Sequence, residues 1–231
     1  MSQPAPDFAA APSPEAEPTV QIRASDLATF VVAKLCHDFV SPAGAVVSGL
    51  DLLKDPSAQD MREDAMALIE ASAEKLVAMA HFARVAFGAA TTAERFDPAQ
   101  IKGLADGAFS GMRAELEWSC GVDSLTKPQA RALLNLAQIA GGSLAHGGVA
   151  KVRCAVEDQA LILSAVAEGP RARLKPEVVT GLSGDTLTEG LAGQWIQPYW
   201  LWVTVAEAGG SLTHSFDEGR VEITARMPHR G

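Results

Sequence analysis

Between residues 25 and 54 apolar side chains recur at helical spacing. At about 100° per residue, Leu27, Val31, Leu35, Pro42, Val46, Leu50 and Leu53 fall within one stripe. Ser25 or Asp26 is placed to cap this helix, which is expected to run to about Lys54, where DPSAQD supplies a turn and a new N-cap. A second helix is expected over roughly 58–88, with Met61, Ala65, Leu68, Ile69, Leu76, Met79, Ala83 and Phe87 as its stripe and Gly88 as its C-terminal stop. Facing stripes joined by a short loop predict an antiparallel helical hairpin. Val40 and Val47 lie off the first stripe. Two helices cannot cover apolar surface on more than one side, so the hairpin is expected to pair with a second copy as a four-helix bundle in a homodimer.

Beyond Gly88 the period changes. A helix is expected to begin near Asp97-Pro98, a short strand to cover Leu116–Ser119, and a helix to run from Lys127-Pro128 to Leu144. The alternating stretches VAKVRCAV and ALILSAVA read as a hairpin turned at Glu157-Asp158. Residues 169–190, rich in Gly, Pro and charge, read as a loop with one short helix at 176–182. A helix over Ile196–Ala208, stopped by Gly209-Gly210, precedes a last hairpin, SLTHSF and RVEITARM, turned at Asp217–Gly219. This order predicts an α+β layer, one mixed sheet with helices on one face. Residues 1–24 hold five of the 13 prolines among alanines and acids and read as a disordered tail. The expected division is therefore a tail (1–24), a helical hairpin (25–88) and an α+β domain (95–231).

Composition narrows the partners. Of 231 residues 48% are hydrophobic, as in a globular protein, and 28 Asp and Glu against 19 Lys and Arg leave a net charge of −9. That sign repels a phosphate backbone, so nucleic acid is an unsuited partner. Cys36, Cys120 and Cys154 are odd in number and widely spaced, which suggests neither a disulfide framework nor a paired-cysteine zinc site and fits a reducing cytoplasm. No run approaches the ~20 consecutive apolar residues of a membrane span. No basic start followed by an apolar core marks export, and a soluble protein with no membrane partner is expected.

One segment concentrates the chemistry. In His37-Asp38-Phe39-Val40-Ser41-Pro42, His37 points about 200° away from the centre of the apolar stripe, with Lys34, Ser41 and Gly44 one turn away and Ser48 beyond. A neutral exposed imidazole is a nucleophile, and small residues beside it let a second protein approach closely. Lys34 is a candidate to hold a phosphoryl oxygen as a point charge. Pro42 removes the amide that would bond the Asp38 carbonyl, so a loosening of the helix is expected there. A solvent-facing histidine is also, by itself, an ordinary surface residue. His81 lacks an adjacent acid and reads as surface; His146 reads as a turn residue, and His214 and His229 as part of the last strand and the end. Trp195, Trp200 and Trp202, flanking Pro198-Tyr199, read as a helix face packed on the sheet rather than as a binding box. No nucleophile elbow and no histidine pair with metal spacing is found.

H-D-F-V-S-P on the first helix of a hairpin resembles the phospho-acceptor box of two-component histidine kinases, and the later segments resemble a worn copy of their ATP-binding domain. Asn135-Leu136-Ala137-Gln138-Ile139-Ala140 stands at the asparagine box with Ile139 in place of its second asparagine. Ala167-Glu168-Gly169-Pro170 stands at the adenine-recognising box without its aspartate or second glycine. The phosphate loop is reduced to Glu189-Gly190-Leu191-Ala192-Gly193, followed by Gln194-Trp195. These losses remove an acceptor for the adenine amino group, one group of the magnesium-phosphate site and the amide cradle, so no cofactor is expected to bind this chain.

Stretches such as LCHDFVSPAGAVVSGLDLL and EGPRARLKPEV closely resemble the alphaproteobacterial ChpT family of histidine phosphotransferases. The resemblance spans about residues 25–230. It implies a hairpin that dimerises as a four-helix bundle and carries phosphotransfer, followed by a degenerate kinase ATPase-like α/β sandwich. It further implies a cytoplasmic phosphorelay of the cell-cycle type, in which phospho-His37 carries a phosphoryl group from the receiver domain of a hybrid histidine kinase to response regulator receivers. Asp38 is carried over as the acid that orients or assists the imidazole. Receivers would dock around Lys34, Ser41, Gly44 and Ser48, and Mg2+ would belong to the receivers. Two alternatives stand beside this reading: an active histidine kinase core, and a non-catalytic protein that docks on a kinase.

Overall fold

A computed structural model describes residues 22–88 and 95–229. The tail expected over 1–24 lies, save its last three residues, outside them. Helix α1 (Ala24–Lys54) starts earlier than expected, and neither Ser25 nor Asp26 caps it. Asp26 lies instead in the first turn, its carboxylate 2.9 Å from the Arg23 guanidinium, where the helix dipole favours negative charge. The helix continues through the buried Pro42. The turn is tightened by Asp55, whose Oδ1 accepts from the Ser57 amide at 2.8 Å and the Ser57 hydroxyl at 2.7 Å. Those two bonds hold the Asp55 carboxyl below its ordinary pKa. A 3-10 turn (Gln59–Met61) then leads into α2 (Arg62–Ala86), shorter at both ends than the expected 58–88.

The two helices approach closely at Gly49. A Cβ there would stand 2.7 Å from Ile69 Cγ1 and 3.0 Å from the Ala65 carbonyl oxygen, so only glycine lets the backbones approach this far. Leu27, Val31 and Ala65 of the expected stripes are buried, whereas Leu50, Met61 and Leu68 are exposed. By length and average composition alone α1 is apolar enough to cross a membrane, but Lys34, His37 and Asp38 interrupt it midway.

The remaining chain folds as β1 (Arg95–Phe96), α3 (Pro98–Phe109), β2 (Ala114–Cys120), β3 (Leu125–Thr126), α4 (Lys127–Gly142), β4 (Gly148–Glu157), β5 (Ala160–Glu168), α5 (Pro176–Leu182), α6 (Ala192–Glu207), β6 (Ser211–Asp217) and β7 (Arg220–Pro228). Strands β2-β4-β5-β7-β6 form one mixed sheet in that order, parallel only between β2 and β4, as the α+β reading expects. Strands β1 and β3, too short to carry a period, form a separate antiparallel pair and were not foreseen. The β4–β5 turn falls at Asp158 and Gln159, both at positive φ, one residue later than expected. Helix α6 begins four residues before Ile196, and α4 stops at Gly142 rather than Leu144.

Alternation sets the core. Val152 and Cys154 of β4, Leu161 and Leu163 of β5, and Val221 and Ile223 of β7 turn one face inward onto Ile101, Leu133 and Leu136 of the helical layer. Helix α4 starts with a capping box, Thr126 to Gln129, and the Gln129 amide also donates to the Pro228 carbonyl at 3.0 Å, tying α4 to β7.

Besides the packing of α2 on α3, the hairpin is fixed to this lobe at two places. Trp195, Ile196, Tyr199 and Val203 of α6 pack against Leu27 and Val31 of α1, with Phe30 edge-on to Trp195 at 5.5 Å between centroids. The tryptophan face therefore meets the hairpin rather than the sheet, because α6 turns its other side, Leu201 and Val205, to the sheet core. The second place is the C-terminal end of α2, where the carbonyl of Ala86 accepts from Asn135 Nδ2 at 3.0 Å and Trp200 Nε1 at 2.8 Å. The Gly88 carbonyl accepts from Arg131 at 2.9 Å, and that guanidinium lies over the Trp200 ring at 5.2 Å. Carbonyls without helical partners are thus satisfied by the lobe, which is also why Phe82, Val85 and Ala86, absent from the expected stripe, are buried.

Candidate functional site

His37 lies midway along α1 with its side chain 89% exposed, on the face the period predicts. Its Nδ1 stands 3.3 Å from Asp38 Oδ1. An ionised carboxylate can only accept, so the ring nitrogen facing it carries the proton and Nε2 keeps the lone pair, directed to solvent. The other carboxylate oxygen, Asp38 Oδ2, accepts from Lys34 Nζ at 2.6 Å. The Lys34 side chain is only 13% exposed. The fold thus brings Lys34, Asp38 and His37 together, but it commits the lysine to the carboxylate instead of leaving it as a free point charge.

Ser41, Gly44 and Ser48 are exposed, and a Cβ on Gly44 would meet nothing within 4 Å. The face beside the imidazole is therefore open and low, the shape a second protein surface needs. Val40 and Val47 are 69% and 57% exposed.

Two clefts flank the imidazole. One, of about 420 Å³, lies between the hairpin and α3 and is lined by His37, Pro42, Phe82, Gly111 and Lys75. The other, of about 550 Å³, lies between α1 and the start of α6, bounded by Phe30, His37, Leu191 and Gly193. The exposed Lys75, which makes no ion pair among the described residues, was missed in the sequence. Nothing local marks it, because it reaches the cleft only through the packing of α2 against α3. His81 is exposed and His146 lies in a turn, as expected. Burial lowers the pKa of His214. Among the described residues no group of His, Cys, Asp and Glu is arranged to hold a metal ion.

In the segments that resemble a nucleotide site several side chains are engaged in structural contacts, while Gln138, Ile139, Gly193 and Gln194 line a cavity of about 250 Å³. Asn135 is fully buried; besides the Ala86 carbonyl it donates to the Arg131 carbonyl at 2.8 Å and accepts from Gln197 at 3.1 Å. Trp195, at the end of the shortened loop, is 2% exposed and donates through Nε1 to the Asp185 carbonyl at 2.9 Å. Glu168 pairs with Lys151 at 2.7 Å and with Arg220.

A family model described as the histidine phosphotransferase C-terminal domain matches residues 98–220. The chain is also 34% identical over 195 residues, 84% of its length and 92% of the relative's, to a protein phosphotransferase ChpT of Brucella abortus (strain 2308). The chain belongs to the ChpT-type histidine phosphotransferases. A solved bacterial phosphotransferase superposes on it with a TM-score of 0.80 at 30% identity, covering 91% of this chain and all of that one. Membership makes it a phosphotransferase, as the resemblance of its first helix implies. Residues 98–220 lie in the lobe and leave out α1, which carries His37. The lobe, not His37, is therefore what the family model recognises.

Proposed function

We propose that this chain shuttles a phosphoryl group between receiver-domain aspartates through phospho-His37, without binding ATP. The observation that carries the reading is the imidazole itself: 89% exposed, Nδ1 held by Asp38 and Nε2 free. The Nε2 lone pair attacks phosphorus of an aspartyl phosphate in line; the N–P bond forms, the P–O bond to the aspartate breaks, and the carboxylate leaves with its electron pair. Return to another receiver reverses these steps. Asp38 holds the Nδ1 proton and stabilises the positive charge that develops on the ring. The protein's task is placement, since the magnesium ion belongs to the receivers' own acidic pockets.

Several contacts support the absence of ATP chemistry: Asn135 is spent on three structural bonds, Trp195 fills the start of α6, and Glu168 is tied to Lys151 and Arg220. The open face at Ser41, Gly44 and Ser48 is the proposed docking ground for the receiver of a hybrid kinase and for response regulators. Val40, Val47 and Leu50, spaced along α1 and exposed, are the proposed seam of a homodimeric four-helix bundle. The same apolar surface accounts for the composition of α1 in a soluble, cytoplasmic protein.

Mixing the purified chain with a phosphorylated receiver domain tests the reading. Acid-labile, base-stable phosphate is expected on wild type and none on His37→Ala, with unaltered thermal stability because the removed ring is solvent-exposed. Label retained by His37→Ala, or label acquired from ATP with no receiver present, overturns it.

A further inference from the structure

We propose that Lys34 is a positioning residue: it acts on the phosphotransfer through Asp38, holding the carboxylate that selects the His37 tautomer, and does not itself grip the phosphoryl group. The inference rests on the reading that His37 accepts phosphate. Its geometry is a chain of three side chains. Lys34 Nζ lies 2.6 Å from Asp38 Oδ2, and Asp38 Oδ1 lies 3.3 Å from His37 Nδ1. Each carboxylate oxygen thus has its own partner, and a rotation of Asp38 breaks both contacts together.

Three features separate a positioning role from a phosphoryl clamp. First, the Lys34 side chain is 13% exposed and its ammonium is engaged by Asp38 at 2.6 Å, whereas the imidazole is 89% exposed, so gripping a phosphoryl group on His37 would require that ion pair to break. Second, neighbouring residues on a helix diverge by about 100°, so Asp38 does not face His37 by default; an anchor one turn back is what turns its carboxylate toward the ring. Third, the pair has lysine N-terminal to the acid at i,i+4, the weaker orientation for supporting a helix. Helix stability is therefore a poor reason for the pairing. Lys34 and Lys75 both line the cleft beside His37, and of the two it is Lys75 of α2 that makes no ion pair among the described residues.

In the chemical step the carboxylate orients the ring so that Nε2 displaces the leaving group, and the 3.3 Å Nδ1 contact shortens as the ring becomes cationic. Without Lys34, Asp38 populates other rotamers and both imidazole tautomers coexist; the Nε2–H form has no lone pair at the attacking atom.

Phosphoramidate, a small donor that needs no receiver, provides the test: Nε2 attacks phosphorus, the donor's P–N bond breaks and ammonia leaves. Lys34→Gln is expected to lower the labelling rate at saturating donor about tenfold, the lower end of what an outer partner of a reacting group contributes, without changing the half-saturating concentration. Lys34→Arg restores the rate. On an Asp38→Asn background Lys34→Gln has no further effect, as an action through Asp38 requires. The 15N shifts of His37 are expected to move from one Nδ1–H tautomer toward a mixture in Lys34→Gln. A raised half-saturation with an unchanged maximal rate, or an undiminished Lys34→Gln effect in the absence of Asp38, overturns the proposal in favour of a phosphoryl clamp. An unchanged maximal rate with an unchanged half-saturation also sinks it. Failure of wild type to be labelled would instead overturn the reading of His37 as acceptor.

Discussion

Replacing Asn135 by alanine separates a structural asparagine from a catalytic one. Its side chain makes three hydrogen bonds, to the Ala86 carbonyl at 3.0 Å, to the Arg131 carbonyl at 2.8 Å and from Gln197 at 3.1 Å, at a fully buried position. None of these partners is orphaned by the change. The Ala86 carbonyl keeps the Trp200 indole, the Arg131 carbonyl keeps its place in the helical ladder, and the Gln197 amide keeps Gln138. The desolvation penalty of an unpaired group is therefore avoided, and the cost is that of three net hydrogen bonds, about 3 kcal/mol in all at roughly 1 kcal/mol each. For a chain of this size that lowers Tm by about 6–12 °C. Calorimetry on wild type and Asn135→Ala measures it, and phosphate acceptance from a phosphorylated receiver, assayed well below the transition, is expected to persist. A change in Tm under about 2 °C, or loss of phosphate acceptance by a variant that is still folded, refutes the argument.

Other expectations follow from single contacts. Gly49→Val forces a side chain against Ile69 and the Ala65 carbonyl and is expected to cost about 1–3 kcal/mol by denaturant unfolding, whereas Gly44→Ala, which meets nothing, gains about 0.5–1 kcal/mol in helix propensity. Gly44→Trp at the same open position is expected to leave stability intact while blocking phosphate exchange with receivers, as a stopped transfer assay would detect. Val40→Asp with Val47→Asp places charge on the exposed apolar line of α1 and is expected to convert the mass measured by light scattering from two chains to one. Lys151 and then Arg220 hold the Glu168 carboxyl below its ordinary pKa, so its contribution is present above the unfolded carboxylate pKa and lost as pH falls through the depressed value. The Tm difference between wild type and Glu168→Gln is therefore expected near neutrality, to shrink once pH falls below the ordinary carboxylate pKa of about 4.3, and to vanish only below the depressed value.

The His37 helix was legible because its pattern is local: one helix carries His37, Asp38, Lys34, Ser41, Gly44 and Ser48, and a period of 3.6 residues alone places His37 opposite the apolar stripe. The alternating strands and the mixed sheet were legible for the same reason, since period-2 burial is written into β4, β5 and β7. Strands β1 and β3 escaped because two residues carry no period. The start of α1 was misjudged because a capping side chain was expected where Arg23 pairs with Asp26 instead.

Sequence alone placed His37 on the open face of a helical hairpin ahead of a mixed sheet, because helix phase and motif chemistry act over a few residues. Only the tertiary structure decided the roles of distant neighbours. The tryptophans of α6 joined the hairpin, Asn135 became a strut at the end of α2, and Lys75 entered the cleft of His37. Even Lys34, one turn from the imidazole, has its ammonium on Asp38 rather than free, since a side chain's partner is fixed by burial and packing that no spacing along the chain encodes.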